Sequence, residues 1–225
     1  MSTSTGADAD PSAIGIESAD ALLERLAALV GAGDGGAEDA GARRLVALAG
    51  PPAGGKSTLA GWLAERLPHS IVVPMDGFHL DNRLLDAAGL RARKGAPETF
   101  DVAGLDMLLR RIVADDGTVH VPLFDRAADL SRAAADSVLP EHRLVIVEGN
   151  YLLLDEAPWS ALARHFDLTV LLEVDEAELE RRLLERWREH GCDEDEAMRR
   201  ANLNDLPNGR RVLARSRSAQ LRYRL

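Results

Sequence analysis

The segment Gly50-Pro51-Pro52-Ala53-Gly54-Gly55-Lys56-Ser57 constrains this chain more than any other stretch. It follows the apolar run Leu45 to Ala49 and opens a helical pattern running from Ser57 to Leu67. The local reading is therefore strand, glycine-rich turn, helix. Glycines let successive backbone amides turn toward one point, and the helix N-terminus brings the positive end of its dipole there. Such a point suits an anion. The spacing G-x-x-x-x-G-K-[ST] suits the phosphates of a nucleotide, which makes this a P-loop. Gly50, Ala53, Gly54, Gly55, Lys56, Ser57 and Thr58 are expected to line the cradle. The Lys56 ammonium would neutralise β- and γ-phosphate charge, and the Ser57 hydroxyl would hold Mg²⁺.

Around this turn, residues 1–16 are small and polar and read as a disordered tail. The absence of a basic start and an apolar stretch there speaks against a secretory leader. Residues 17–43 read as an amphipathic helix over Ser18 to Val30, with Ser18 as N-cap, followed by a Gly-, Ala- and acid-rich linker. The main domain then spans residues 44–225. Its strands are expected at Leu45–Ala49, Ile71–Met75, Val119–Phe124, Arg143–Glu148 and Leu168–Val174. Helices are expected at Ser57–Leu67, Val102–Val113 and Glu176–His190. Alternation of this kind implies an α/β fold, a parallel sheet with helices on both faces and its active rim at the strand C-termini. Pro74 lacks the amide a central strand needs, so its strand belongs at an edge.

Two carboxylates fall at strand ends on that rim. Asp76, in Met75-Asp76-Gly77-Phe78-His79, either accepts the proton of an attacking hydroxyl or caps an Asp-Gly turn. Glu148, after Leu144 to Val147, either organises Mg²⁺ in the manner of a Walker-B acid or is a solvated loop residue. Arg181, Arg182, Arg186 and Arg188 lie on the helix after Val174, with Arg182 and Arg186 on one face. That face can close over a transferring phosphate, or its arginines can pair with Glu178, Glu185 and Glu189. His79 is a substrate contact or a packed ring. Trp62, Trp159 and Trp187 read as packing residues, and the polar run Asn202 to Asn208 as a turn that caps a helix or frames the adenine.

A net charge of −10 argues against a nucleic-acid partner, and no apolar run is long enough for a membrane span. The charge is uneven, since twelve arginines against seven acids follow from Arg181 onward. One cysteine and no metal-spaced histidines fit a reducing cytoplasm without zinc. Only two of the 27 basic residues are lysines, Lys56 and Lys94. Where an arginine-rich chain keeps a lysine, a compact ammonium is the expected requirement.

With both carboxylates placed, the chain resembles the family joining bacterial-type pantothenate kinase, uridine kinase and phosphoribulokinase. The resemblance rests on Gly50 to Ser57, on Met75 to His79, on Arg93-Lys94-Gly95-Ala96-Pro97-Glu98-Thr99-Phe100-Asp101 and on Glu148-Gly149-Asn150-Tyr151. It implies a three-layer P-loop NTPase fold with a five-stranded parallel sheet in the order 2-3-1-4-5 and a helical lid. It also implies ATP and Mg²⁺, Asp76 as general base, Lys56 and Ser57 at the phosphates, and lid arginines among Arg181 to Arg188. His79, Lys94 and Arg126 become candidates for the acceptor side. Phe124 stands where uridine kinases carry a tyrosine, and no histidine follows before His142, which points away from a pyrimidine acceptor. The expected activity is phosphoryl transfer from ATP to a hydroxyl of a sugar, nucleoside or vitamin-like molecule. Arg91, Arg93, Lys94 and Arg126 leave room for a phosphorylated acceptor, and a homodimer is possible. The competing reading is a nucleotide-gated regulatory NTPase without a kinase acceptor.

Overall fold

The computed structural model describes residues 14–16, 18–31 and 42–224. The chain opens with β1 (Ile14–Ile16) and α1 (Ala19–Gly31), where the Ala21 amide donates to Ser18 Oγ at 3.1 Å as an N-cap. Then come β2 (Arg44–Ala49), α2 (Lys56–Arg66) and β3 (Ser70–Pro74), which runs into a tight helical turn at Met75–Phe78. A short helix α3 (Asn82–Ala87) and α4 (Val102–Val113) precede a hairpin of β4 (Val119–Asp125) and β5 (Leu130–Val138). The chain returns through β6 (Leu144–Gly149), β7 (Leu168–Glu173) and α5 (Glu176–Glu189). It finishes with α6 (Glu194–Arg200), a wide π turn at Ala201–Asp205, α7 (Leu206–Arg215) and β8 (Leu221–Arg224).

Alternation along β2 explains the layering. Leu45, Ala47 and Ala49 face one apolar cluster, and Val46 and Leu48 face another. The first cluster is closed by α4 through Leu105, Leu109 and Ile112. The second is closed by α1 and α2 through Leu22, Leu26, Leu59 and Leu63. A strand buried on both faces is what a parallel sheet between two helical layers demands. The α1 helix is thereby part of the core and not an appendage.

All neighbours in the main sheet are parallel, in the order β1-β8-β7-β2-β6-β3. Numbering β2, β3, β6, β7 and β8 as one to five gives 2-3-1-4-5, with β1 added outside β8. Pro74 indeed lies on the edge strand, β3. Three expectations need correction. The tail was expected to run to residue 16, yet Ile14–Ile16 pairs with Leu221, Arg222 and Tyr223, because β8 would otherwise leave an open edge. Residues 1–13 of that tail and residues 32–41 of the linker lie outside the described residues. The strand at Val119 leaves the main sheet and forms an antiparallel hairpin with β5. The run Asn202 to Asn208 is helical, carried by the π turn and the start of α7, and neither caps a helix nor forms a loop.

The hairpin is seated by a close approach. A Cβ on Gly77 would lie 2.2 Å from the Pro122 carbonyl oxygen, so only glycine allows the turn after β3 to meet β4. Gly77→Ala is expected to lower the unfolding free energy by roughly 1–3 kcal/mol, the range for overpacking a tight contact. Urea denaturation checks this, and an unchanged midpoint would mean that the hairpin is not held against this turn.

Candidate active site

The cradle is built from backbone that no ordinary helix start would adopt. Gly55, the residue before α2, sits at φ 82°, and Ala53 at φ 56°. The Gly54 amide donates to the Pro51 carbonyl at 3.1 Å, closing the turn. No side chain caps α2, and the amides of Gly55, Lys56, Ser57 and Thr58 have no acceptor among the described residues. Unpartnered helix-start amides converging on one point are what a phosphate group satisfies.

Lys56 folds back over this loop. Its Nζ donates to the Pro51 carbonyl at 2.8 Å and to Asn150 Oδ1 at 2.7 Å, and the residue is only 7% exposed. Burial holds the ammonium down to about 8, with Glu148 and Asp76 pulling it up and Arg186 and Arg126 pushing it lower. At neutral pH it is a desolvated cation beside the helix-start amides, a charge that anionic phosphate would balance. Ser57 Oγ donates to Glu148 Oε1 at 3.2 Å. Glu148 is buried, and desolvation raises its pKa against the opposing charge of Lys56. Mg²⁺ in such sites is held by one or two protein oxygens plus phosphates and water, so Ser57 and Glu148 form a donor set of the right chemistry.

Strand register brings the second carboxylate to the same rim. Glu148 pairs with both Leu48 of β2 and Pro74 of β3, so the three strands end level. Asp76 lies two residues past Pro74, in the turn Met75–Phe78. Its Oδ2 accepts from Arg126 Nη2 at 2.8 Å. Arg126 stands in the tip of the β4–β5 hairpin, so that small sheet brings a guanidinium to the Asp76 carboxylate. The Asp76 carbonyl accepts from His79 Nδ1 at 2.8 Å. A carbonyl cannot donate, so Nδ1 carries the proton. Burial lowers the His79 pKa, and the neutral ring packs 4.1 Å from Phe100 and 4.5 Å from Phe124, leaving Nε2 as an acceptor.

Other sequence candidates are differently employed. The three protons of Lys94 are taken by Asn82 Oδ1, the Asp129 carbonyl and Asp129 Oδ1, each at 2.7 Å. Lys94 thus ties α3 to the hairpin tip and is not free to grip an acceptor. Arg182 donates to Glu178 at 2.7 Å on its own helix. Arg186 instead leans toward Asp205, 3.6 Å away, and is near enough to the cradle to depress Lys56. Much of the basic C-terminal third is neutralised locally, for example Arg188 by Glu194, Arg199 and Arg200 by Glu196, and Arg211 by Glu156.

Several residues went unrecognised in the sequence. Asn150 holds Lys56 and was visible only as the third residue of Glu148-Gly149-Asn150. Asn204 donates to the Lys94 carbonyl at 2.8 Å and accepts from the buried Asn208 at 3.1 Å. One residue on, Gly209 lets α7 approach α5, since a Cβ there would stand 2.9 Å from Leu179 Cδ2, while Pro51 Cβ would be at ordinary contact distance, 3.5 Å. Asp205 is buried under Trp187, whose Nε1 donates to it at 2.7 Å.

No protein-family profile matches the chain. An Escherichia coli K12 protein, "Uncharacterized protein YggC", is 42% identical over 185 residues, covering 80% of this chain and 76% of that protein. "Putative uridine kinase C227.14" of Schizosaccharomyces pombe is 37% identical over 181 residues, covering 74% of this chain and 76% of that protein. The chain belongs to the P-loop kinase family of uridine kinase, pantothenate kinase and phosphoribulokinase. Within it, pantothenate kinase of Streptomyces coelicolor is 33% identical over 163 residues, or 64% of this chain and 47% of that enzyme. The chain matches only about half the length of that enzyme. Among solved structures, a "putative fructose transport system kinase" from Silicibacter sp. TM1040 superimposes with a TM-score of 0.81 at 46% identity. That match covers 89% of this chain and 98% of the other.

The depressed Lys56 has a signature in stability. Its pKa is about 8 in the fold against 10.5 ordinarily, so between those values the unfolded chain binds more protons. Stability owed to this group therefore rises with pH across that window, by an amount on the order of 2 kcal/mol. Near pH 10 (by the ordinary tyrosine value) the trend turns, because burial keeps Tyr151 protonated in the fold while it ionises in the unfolded chain. The unfolding free energy of the nucleotide-free protein minus that of Lys56→Met should climb between about pH 8 and 10. A flat difference would mean that the ammonium is not buried.

Proposed function

We propose that this kinase transfers the γ-phosphoryl group of ATP to a hydroxyl of a small metabolite. One observation carries the reading: Glu148, which accepts from Ser57 of the P-loop, and Asp76, two residues past the strand end paired with Glu148, lie on one rim of the sheet beside the buried Lys56. A base, a metal-side acid and a phosphate-side cation thus share one rim, which is the equipment of phosphoryl transfer to an organic hydroxyl. The names of its relatives, which speak of uridine, pantothenate and fructose transport, agree in pointing to small hydroxylated molecules.

In this reading the amides of Gly55 to Thr58 fix the phosphates, and Lys56 neutralises charge that grows on them. Ser57 and Glu148 would hold Mg²⁺, which when bound spreads the negative charge of the triphosphate. Asp76 orients the acceptor hydroxyl and takes its proton. Arg186 closes from the lid side over the transferring group, and Arg182 reaches it only after leaving Glu178. Positioning and preset charge supply most of the rate, since phosphoryl transfer asks little covalent chemistry of the protein. A sugar, nucleoside or vitamin-like acceptor fits this equipment. Among the described residues no helix is long and apolar enough to cross a membrane.

Asp76→Asn should keep nucleotide affinity within a few-fold and lose at least ~100-fold in turnover, the scale of a general-base contribution. Nucleotide titration alongside coupled-assay kinetics with an active acceptor checks this. Turnover within a few-fold of the wild type would remove Asp76 from the chemistry.

A further inference from the structure

The cations near the acceptor side are unequally committed. Arg91 lies 3.3 Å from Asp86 and 3.5 Å from Asp129, and Arg93 lies 3.0 Å from Glu98. Lys94 has spent its three protons, and Arg132 lies 2.9 Å from Asp125. Arg126 differs. Among the described residues its single acceptor is Asp76, through one nitrogen at 2.8 Å, and its side chain is 61% exposed. Its charge nevertheless registers on Lys56, Glu148 and His79, so it sits within the field of the site.

The partner of this exposed guanidinium is the proposed base. While the pair is made, Oδ2 shares its lone pairs with the guanidinium, and Oδ1 is the Asp76 oxygen left open to a hydroxyl. An ion pair with so exposed a partner is screened by solvent and contributes little. A carboxylate or phosphate offered in two-oxygen geometry competes with it easily, because guanidinium binds such groups bidentately. A neutral polyol has no group that would draw Arg126 away.

Resting on the kinase reading above, we propose that Arg126 selects an acceptor carrying an anionic group, a carboxylate or a phosphate, and that seating this group releases Asp76. The exchange couples recognition to chemistry. Arg126 moves from Asp76 to the acceptor anion, and the freed carboxylate takes the proton of the acceptor hydroxyl. The hydroxyl oxygen forms its bond to the γ-phosphorus as the bond to the β-γ bridging oxygen breaks, leaving ADP. With no anion present Arg126 keeps Oδ2, and only Oδ1 is open to an incoming hydroxyl, which slows transfer to water.

Wild type, Arg126→Gln and Arg126→Lys are compared in two assays. The first is ATP hydrolysis without acceptor. Arg126→Gln is expected to hydrolyse at least ~5-fold faster than wild type, because both Asp76 oxygens are then open, with Arg126→Lys falling between the two. The second offers matched acceptors, gluconate against glucose and ribose 5-phosphate against ribose, within a wider set of such pairs. Wild type is expected to phosphorylate anionic members, with gluconate separating carboxylate recognition from the phosphate recognition that ribose 5-phosphate reports. Arg126→Gln should raise the acceptor KM at least ~10-fold with the KM for ATP unchanged, and Arg126→Lys should recover part of it. Phosphorylation confined to neutral members, or acceptor-free hydrolysis unchanged in Arg126→Gln, overturns the inference and leaves the kinase reading standing. Failure of the kinase reading itself looks different: steady hydrolysis that no hydroxyl compound of either kind captures.

Discussion

A buried ammonium facing unpartnered amides organises this molecule. Lys56 is tied to Pro51 and Asn150 inside the loop and is 7% exposed, so its charge is poorly solvated. Taking a lysine out of water costs several kcal/mol unless an anion compensates. Glu148 gives partial compensation from the next strand, and its own pKa is raised by the same burial. The two groups stabilise each other incompletely. What remains is an electrostatic deficit at the mouth of α2, and a triphosphate is the ligand whose charge and oxygen spacing fill it.

The rest of the architecture follows from having to surround that deficit. The sheet order sets β6 between β2 and β3, so Glu148 and Asp76 arrive on adjacent strand ends. The β4–β5 hairpin leans on the turn after β3 at Gly77 and brings Arg126 to Asp76. From the other side, α7 packs closely on α5 at Gly209 and lies beside Pro51 of the loop, and Asn208 and Asn204 connect it to the backbone of Lys94. The glycine-rich loop and the segment around Lys94 are thus joined through short, direct contacts. The lid arginines are largely neutralised by glutamates on their own or adjacent helices, and Arg186 is the one that reaches toward the cradle.

What the sequence showed and what it hid divide along physical lines. The loop from Gly50 to Ser57 was legible because its chemistry is local: spacing, glycine and one lysine specify it. Pro74 marked an edge strand because a missing amide excludes the interior whatever the neighbours do. Glu148 and Asp76 were placed by their position after apolar runs. By contrast β5, Leu-Ser-Arg-Ala-Ala-Ala-Asp-Ser-Val, has little intrinsic preference for a strand and exists because β4 pairs with it. The strand β8, with Leu221 and Tyr223 inward and Arg222 and Arg224 paired to Glu173, was concealed in a basic tail. Asn202 to Asn208 looked like a turn by composition. It is a helix because burial of Asp205 and Asn208, and the bonds of Asp205 to Trp187 and of Asn204 to Lys94, outweigh the weak propensity of asparagine. The engagement of Lys94 was invisible for the same reason, since Asp129 lies 35 residues away.

The most direct measurement of the central claim is the proton balance of nucleotide binding. Calorimetric titration of Mg²⁺-ATP in buffers of different ionisation enthalpy reads it without reference to turnover. If phosphates compensate Lys56, its pKa rises from about 8 on binding. The protein should then take up roughly half a proton per nucleotide at pH 8, and more at pH 9. Nucleotide binding with no proton uptake at either pH would show that the ammonium does not meet the phosphates, and the account built on it would fail.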